Sequence, residues 1–135
     1  MSLQLSTTVR NALLDAIETA IGTAPILKIR SGSAPANCAA ADSGTVLATA
    51  TLPSDWMAAA SGGSKSLSGT WQDTSADATG TAAHFRLYDS GGTTCHAQGT
   101  VTATGGGGDM TVDSTSFTSG QSFTVTSFTL TAPNS

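Results

Sequence analysis

Serine or threonine occupies nearly every second position between Thr93 and Thr131, and apolar residues fill many of the positions between them. Alternation with a period of two is typical of β-strands that have one buried face and one exposed face. Threonine is β-branched and favours the strand, and its short side chain loses little rotamer entropy when another surface covers it. The pattern therefore predicts a β-rich fold whose outer face is suited to sustained contact.

Seven segments are predicted to be strands and one to be a helix. The predicted strands are residues 26–30, 45–52, 66–72, 82–88, 95–104, 110–112 and 121–131. Short strands joined by glycine-rich turns indicate a mainly β fold, an antiparallel β-sandwich or barrel, with one amino-terminal α-helix packed outside it. The length suits a single domain, with an arm and helix over residues 1–22 and the β-sandwich over residues 23–135.

The helix is predicted to begin after a cap at Ser6 or Thr7 and to run to about Ile21, before Gly22. Its apolar residues recur at helical spacing on one face, and its acidic residues lie on the other face. The apolar residues are Val9, Leu13, Ala16, Ile17, Ala20 and Ile21, and the acidic ones are Asp15 and Glu18.

Side-chain parity predicts an irregularity in the last strand. Phe123 and Val125 share one parity, whereas Phe128 and Leu130 share the other, so a bulge near Ser127 would place all four side chains in the core.

Parity also sets the register of the hairpin before it. A three-residue loop over residues 91–93 pairs Leu87 with Ala97 and Phe85 with Gly99, which matches apolar positions better than a two-residue loop does.

Low charge limits the partners of this chain. Charged residues make up 10% of it, the net charge is −4, and Lys and Arg together number five. We therefore expect no direct contact with nucleic acid. No apolar stretch reaches membrane-spanning length and no signal peptide is evident, so we expect no membrane partner. A domain this short of charge is prone to self-association unless partners cover its surface.

Cys38 and Cys95 are the two cysteines of the chain. Without a secretion signal, two thiols are more often free than bridged, although the sequence leaves a disulfide open. Cys95 shares its parity with Ala97 and Val101, so its side chain is predicted to face the core.

No residue pattern predicts an enzyme, a cofactor or a metal site. In the predicted register His84 and His96 share the polar face but lie roughly 13 Å apart, whereas zinc ligands lie ~2 Å from a common centre. Residues 62–66 do not match the G-x-S-x-G motif of hydrolases. The glycines of residues 105–108 lack the G-K-[ST] sequence of a phosphate-binding loop and are interpreted as a flexible hairpin connection.

The two tryptophans receive different interpretations. Trp71 alternates with Leu67 and Gly69 and is predicted to lie in the core. Trp56 lies in a loop after Pro53, and the sequence leaves open whether it fills the core or anchors a partner.

Six segments carry a resemblance to a known family. They are L-D-A-I-E-T-A-I-G-T-A-P (14–25), A-N-C-A-A-A-D-S-G-T-V-L-A (36–48), L-P-S-D-W-M-A-A-A-S-G-G (52–63), S-G-T-W-Q-D (68–73), H-F-R-L-Y-D-S-G-G-T-T-C-H (84–96) and G-T-V-T-A-T-G-G-G-G-D-M-T (99–111). Together they resemble small proteins encoded in the structural gene blocks of tailed bacteriophages and prophages. The resemblance implies a virion structural protein and carries over no catalytic residues.

The expected role is capsid decoration or cement, in a particle assembled in the bacterial cytoplasm. Such a protein binds the major capsid protein or other virion proteins in many copies and bridges the subunits of the assembled shell. The alternatives are a tail, neck or fibre component, and a receptor- or glycan-binding module with an exposed aromatic site. Residues predicted to contact partners are Leu3, Leu5, Trp56, His84, Arg86, Tyr88, His96 and Gly106.

Overall fold

A computed structural model describes residues 3–135 as a mainly β fold with one amino-terminal helix, which confirms the predicted fold class. The elements are α1 (Thr7–Ile21), β1 (Ile26–Arg30), β2 (Val46–Thr51), β3 (Ser64–Ser66), β4 (Gln72–Asp73), β5 (Gly80–Thr81), β6 (His84–Tyr88), β7 (Cys95–Ala103), β8 (Met110–Val112), β9 (Ser116–Phe117) and β10 (Phe123–Thr131). None of the helices within these residues is long and apolar enough to cross a bilayer.

Eight strands form one sheet and two form a second, smaller sheet. The large sheet has the order β2-β1-β6-β7-β8-β10-β3, with β4 also paired to β10, and the small sheet pairs β5 with β9. The sheet is mixed, because β7 and β8 run parallel while the other pairs run antiparallel. It also does not close into a barrel.

The parallel pair corrects the predicted hairpin at residues 105–108. After β7 the chain turns back, so that Met110 lies beside Val101 and β8 then follows the direction of β7. Gly105 and Gly107 have φ angles of +87° and +79°, in the left-handed region that glycine adopts without steric cost. The run of glycines therefore makes a tight return between parallel strands.

The prediction of a single strand over residues 66–72 is wrong. The chain instead forms β3 and β4, which pair with opposite ends of β10. Gly69 lies between them with a φ of +71°, which interrupts the extended backbone. The Nε1 of Trp71 donates to the carbonyl oxygens of Trp56 (3.1 Å) and Ser68 (3.2 Å), so the segment folds around this indole.

The predicted bulge in the last strand is confirmed. Val125 pairs with Val112 and Ser127 pairs with Thr111, so Thr126 is the extra residue, one position before the predicted site. Phe123, Val125 and Phe128 are buried, and Leu130 packs against the same core.

An aromatic cluster lies at the centre of the core. The rings of Trp56 and Trp71 are 5.8 Å apart, Trp71 and Phe128 are 5.5 Å apart, and Phe85 meets Phe128 edge to face at 5.6 Å. The prediction for Trp71 is therefore confirmed. Trp56 is 1% exposed, and its Nε1 donates to the carbonyl oxygen of Gly22 (2.9 Å), so it also fills the core.

Candidate functional site

The helix α1 has the predicted ends. The hydroxyl of Ser6 accepts from the backbone N–H of Val9 (3.2 Å), and the N–H of Gly22 donates to the carbonyl of Glu18 (2.9 Å). Both bonds satisfy backbone groups that have no partner inside the helix.

Polar side chains dock this helix on the sheet. Lys65 of β3 lies 2.7 Å from a carboxylate oxygen of Asp15 and 2.7 Å from one of Glu18. The side-chain oxygen of Asn11 accepts from the N–H of Gly63 (2.8 Å). The Lys65 side chain is 1% exposed, so the cation lies within the interface between helix and sheet.

The opposite face of α1 is apolar and exposed. Val9, Leu13 and Ile17, at successive intervals of four residues, are 45%, 46% and 39% exposed, and we call them the apolar stripe. With Leu3 in the preceding segment, they are the exposed large hydrophobic side chains of residues 3–135. An amphipathic helix of a globular protein usually turns its apolar face to the core, and α1 does the reverse along most of its length.

Each charged side chain of α1 is bonded to the rest of the protein. The charged residues of α1 are Arg10, Asp15 and Glu18. Arg10 donates to the carbonyl oxygen of Ala132 (2.9 Å), and both acids bind Lys65. The outer face of the helix is therefore a neutral, largely apolar surface, of the kind that marks contact sites on soluble proteins.

Four of the predicted contact residues are buried, which corrects their assignment. Trp56 lies in the core, and His84, Arg86 and Tyr88 of β6 are 1–2% exposed. Their side chains lie beneath residues 31–45, which we call the covering loop. The Nδ1 of His84, for example, lies 2.7 Å from the carbonyl oxygen of Gly32 in this loop.

The other four predicted contact residues remain accessible. Leu3, His96 and Gly106 are exposed, and Leu5 is half-buried, with its N–H donating to the carbonyl oxygen of Asn134 (2.7 Å). Of the arm and helix predicted over residues 1–22, Met1 and Ser2 lie outside the described residues.

Asp42 fastens the covering loop to the sheet. Its carboxylate accepts from Arg30 (3.0 Å), Arg86 (2.8 Å) and Tyr88 (2.6 Å). The hydrogen bond from Tyr88, together with the nearby guanidinium groups, lowers the pKa of Asp42. Burial and the bond to Asp42 raise the pKa of Tyr88. Sequence reasoning missed Asp42, although two arginines on the same face of neighbouring strands, Arg30 of β1 and Arg86 of β6, signal that a counter-ion must cover them.

A bulge places Cys95 on this same polar face. The predicted pairs Phe85–Gly99 and Leu87–Ala97 are confirmed, but Tyr88 pairs with Cys95, and His96 is the extra residue. This shift reverses the parity of Cys95, so the prediction that it faces the core is wrong.

Arg86 brings the two cysteines to one place. Its Nε donates to the sulfur of Cys95 (3.2 Å), and its Nη2 donates to the carbonyl oxygen of Cys38 in the covering loop (2.8 Å). Both thiols are free and half-buried, and both line a cavity of about 610 Å³ beside Asp42. Burial raises the pKa of the Cys38 thiol, and the neighbouring Cys95 raises it further.

The two arginines of this cluster bind the side chains and carbonyl oxygens around them. Both guanidinium groups are engaged, because Arg30 binds Asp42 and Tyr88, while Arg86 binds Asp42, Cys95 and the carbonyl oxygens of the loop. Across residues 3–135, no group of three or more His, Cys, Asp or Glu side chains is placed to hold a metal ion.

Comparison of the chain with models of protein families, with curated proteins and with solved structures finds no match.

Proposed function

We propose that this chain is a structural protein of a tailed-bacteriophage virion, and that it decorates the capsid and stabilises the assembled shell. The observation that carries the proposal is the apolar stripe, which faces outward on a helix whose polar face is anchored to the sheet. A helix held in this orientation presents Val9, Leu13 and Ile17 to a partner at no cost in rearrangement.

The chemistry of the apolar stripe selects the partner. Because its surroundings are neutral, a matching surface is apolar and carries no unpaired charge, since burying such a charge without a counter-ion costs several kcal/mol. We assign this surface to the major capsid protein. The net charge of −4 supports a position on the outside of the shell, away from packaged DNA.

Stabilisation follows from mass action. A protein that binds the assembled shell but not its separate subunits shifts the equilibrium toward the intact particle. Burial of the apolar stripe contributes about 25 cal/mol for each Å² of apolar surface removed from water. Each contact is small, but the symmetry of a capsid repeats it over many copies.

The structure bears differently on the two alternatives to capsid decoration. A glycan-binding module would use Trp56, Tyr88 and the two histidines as an exposed aromatic site. Trp56, Tyr88 and His84 are buried, so this alternative keeps only His96. A tail, neck or fibre component would use the apolar stripe equally well. Copy number separates this alternative from capsid decoration, because tails and necks contain far fewer subunits than shells.

The first test is quantitative mass spectrometry of purified virions of the phage that encodes the chain. Hundreds of copies, in a simple ratio to the major capsid protein, are expected for decoration. A few to a few dozen copies would assign the chain to the tail, neck or fibres. Absence from the particle would overturn the structural role altogether.

The second test addresses the apolar stripe. Purified shells that lack the protein are mixed with wild type, with Leu13→Asp/Ile17→Asp, and with Thr118→Asp, which adds a charge at an exposed position away from the helix. Co-sedimentation is expected for wild type and for Thr118→Asp, and loss of binding for the double variant. Equal binding of all three proteins would show that the apolar stripe is not the contact surface.

A further inference from the structure

The structure assigns Cys38 and Cys95 as a dithiol modification site: a pair that closes to an intramolecular disulfide by exchange with a small-molecule disulfide. The bond would tie the covering loop covalently to β7. The assignment is independent of the capsid role and holds for the isolated protein.

Two contacts of Arg86 bring the two residues together. Arg86 donates through Nε to the Cys95 sulfur and through Nη2 to the Cys38 carbonyl oxygen, so one guanidinium group spans both residues. The cavity of about 610 Å³ that both line is open to solvent at Thr93 and Thr94, which gives a small disulfide access to the sulfurs.

The covering loop is already held in the position that the disulfide would preserve. Asp42 binds Arg30, Arg86 and Tyr88, and Gln98 of β7 donates to the carbonyl oxygen of Pro35 (2.7 Å). These bonds fix the loop backbone on both sides of Cys38.

The exchange balances with oxidised glutathione as the oxidant. One protein thiolate attacks a sulfur of glutathione disulfide, which forms a mixed disulfide and releases one glutathione thiolate. The second protein thiolate then attacks the protein sulfur of the mixed disulfide, forms the Cys38–Cys95 bond and releases the second glutathione. Two protein thiols are oxidised, one glutathione disulfide is reduced to two thiols, and the protons from the cysteines end on glutathione.

The consequence is a subunit that changes its stability with its surroundings. In a reducing cytoplasm the pair stays as two thiols, and in an oxidising medium it closes. Cross-linking removes entropy from the unfolded chain, and 57 positions separate the two cysteines, so the closed form is expected to unfold at a temperature at least about 5 °C higher.

The test uses the full chain with oxidised glutathione, followed by alkylation of remaining thiols and mass spectrometry. Trypsin cleaves after Lys65 and Arg86, so the bond would link the peptide of residues 31–65 to that of residues 87–135. This linked peptide is expected in monomeric protein, together with the higher unfolding temperature, and a dithiol reductant should reverse both.

Cys38→Ser and Cys95→Ser are the matched controls, and neither should gain stability on oxidation. Should a variant fail to fold, the peptide map of wild type still decides the question. Two free thiols after oxidation, a product that stops at glutathione adducts, or disulfides only between separate molecules would each overturn the assignment.

Discussion

The ammonium group of Lys65 lies 2.7 Å from a carboxylate oxygen of Asp15, at the boundary between β3 and α1. The lysine side chain is 1% exposed, whereas the aspartate side chain is 51% exposed. The buried member of this pair is therefore the cation, and the carboxylate remains in contact with water. A second carboxylate, from Glu18, lies at the same distance from the lysine. One residue of the sheet thus holds two successive turns of the helix.

Lys65→Met should loosen the helix. The substitution leaves the two carboxylates without their cation, but both reach solvent, so we expect a loss of about 1–2 kcal/mol in the free energy of unfolding rather than the larger cost of a fully buried charge. Urea denaturation measures the loss, and amide hydrogen exchange of residues 7–21 should accelerate more than exchange in β6. Uniform acceleration across the chain would contradict a local role for Lys65.

Acid should destabilise the protein through Asp15 and Asp42. The pKa of Asp15 is lowered first by its hydrogen bond from Lys65, and that of Asp42 first by its bond from Tyr88. Because both pKa values are lower in the folded state than in the unfolded chain, the unfolded chain binds more protons at acid pH. The free energy of unfolding therefore falls as the pH drops below the unfolded pKa of about 3.9 and then through the pKa values of the folded state. Urea midpoints between pH 6 and pH 2 measure this slope, and Asp42→Asn should flatten it. An unchanged slope in that variant would contradict the role of Asp42.

The neighbouring leucines of α1 should respond differently to truncation. Leu14 is 3% exposed and Leu13 is 46% exposed. We expect Leu14→Ala to lower the free energy of unfolding by about 2–3 kcal/mol and Leu13→Ala to change it by less than about 0.5 kcal/mol. Thermal and urea unfolding of both variants provide the comparison. Equal losses would mean that the apolar stripe is not free in the isolated protein.

Gly99→Ala should be destabilising because the space beside this residue is filled. A Cβ atom there would lie 2.7 Å from Oδ2 of Asp109 and 2.8 Å from Cε1 of Phe85. Phe85 is fixed in the core, and we expect a cost of about 1–3 kcal/mol. Gly91→Ala is the control, since the nearest atom to its new Cβ would be 3.7 Å away. Similar urea midpoints for the two variants would contradict this reading.

Features that depend on neighbouring residues could be predicted from the sequence. The cap at Ser6, the end of α1 before Gly22 and the bounds of β1 and β8 follow from short-range patterns, and the structure confirms them. The bulge at Thr126 could also be predicted, because Phe128 reaches the core only if the strand changes parity between Val125 and Phe128.

Features that depend on distant residues could not be predicted from the sequence. The orientation of α1 is decided by Lys65, some 50 positions away, and no local pattern shows that a lysine will be buried beneath a helix. The extra residue at His96 reverses the side of Cys95, and the covering loop then hides the polar face of β6. The two-residue strands β4, β5 and β9 are too short to carry a periodic signal.

The position of β10 governs when this protein can fold during its synthesis. This strand is synthesised after the other strands of the sheet, yet it pairs with β8, β3 and β4. Until residues 123–131 emerge, those three strands have no partner on that side, and their backbone groups stay open to other nascent chains. Translation adds roughly 5–20 residues each second, so the incomplete sheet persists for seconds. The large sheet is therefore completed only after β10 has emerged, whatever order the earlier strands follow.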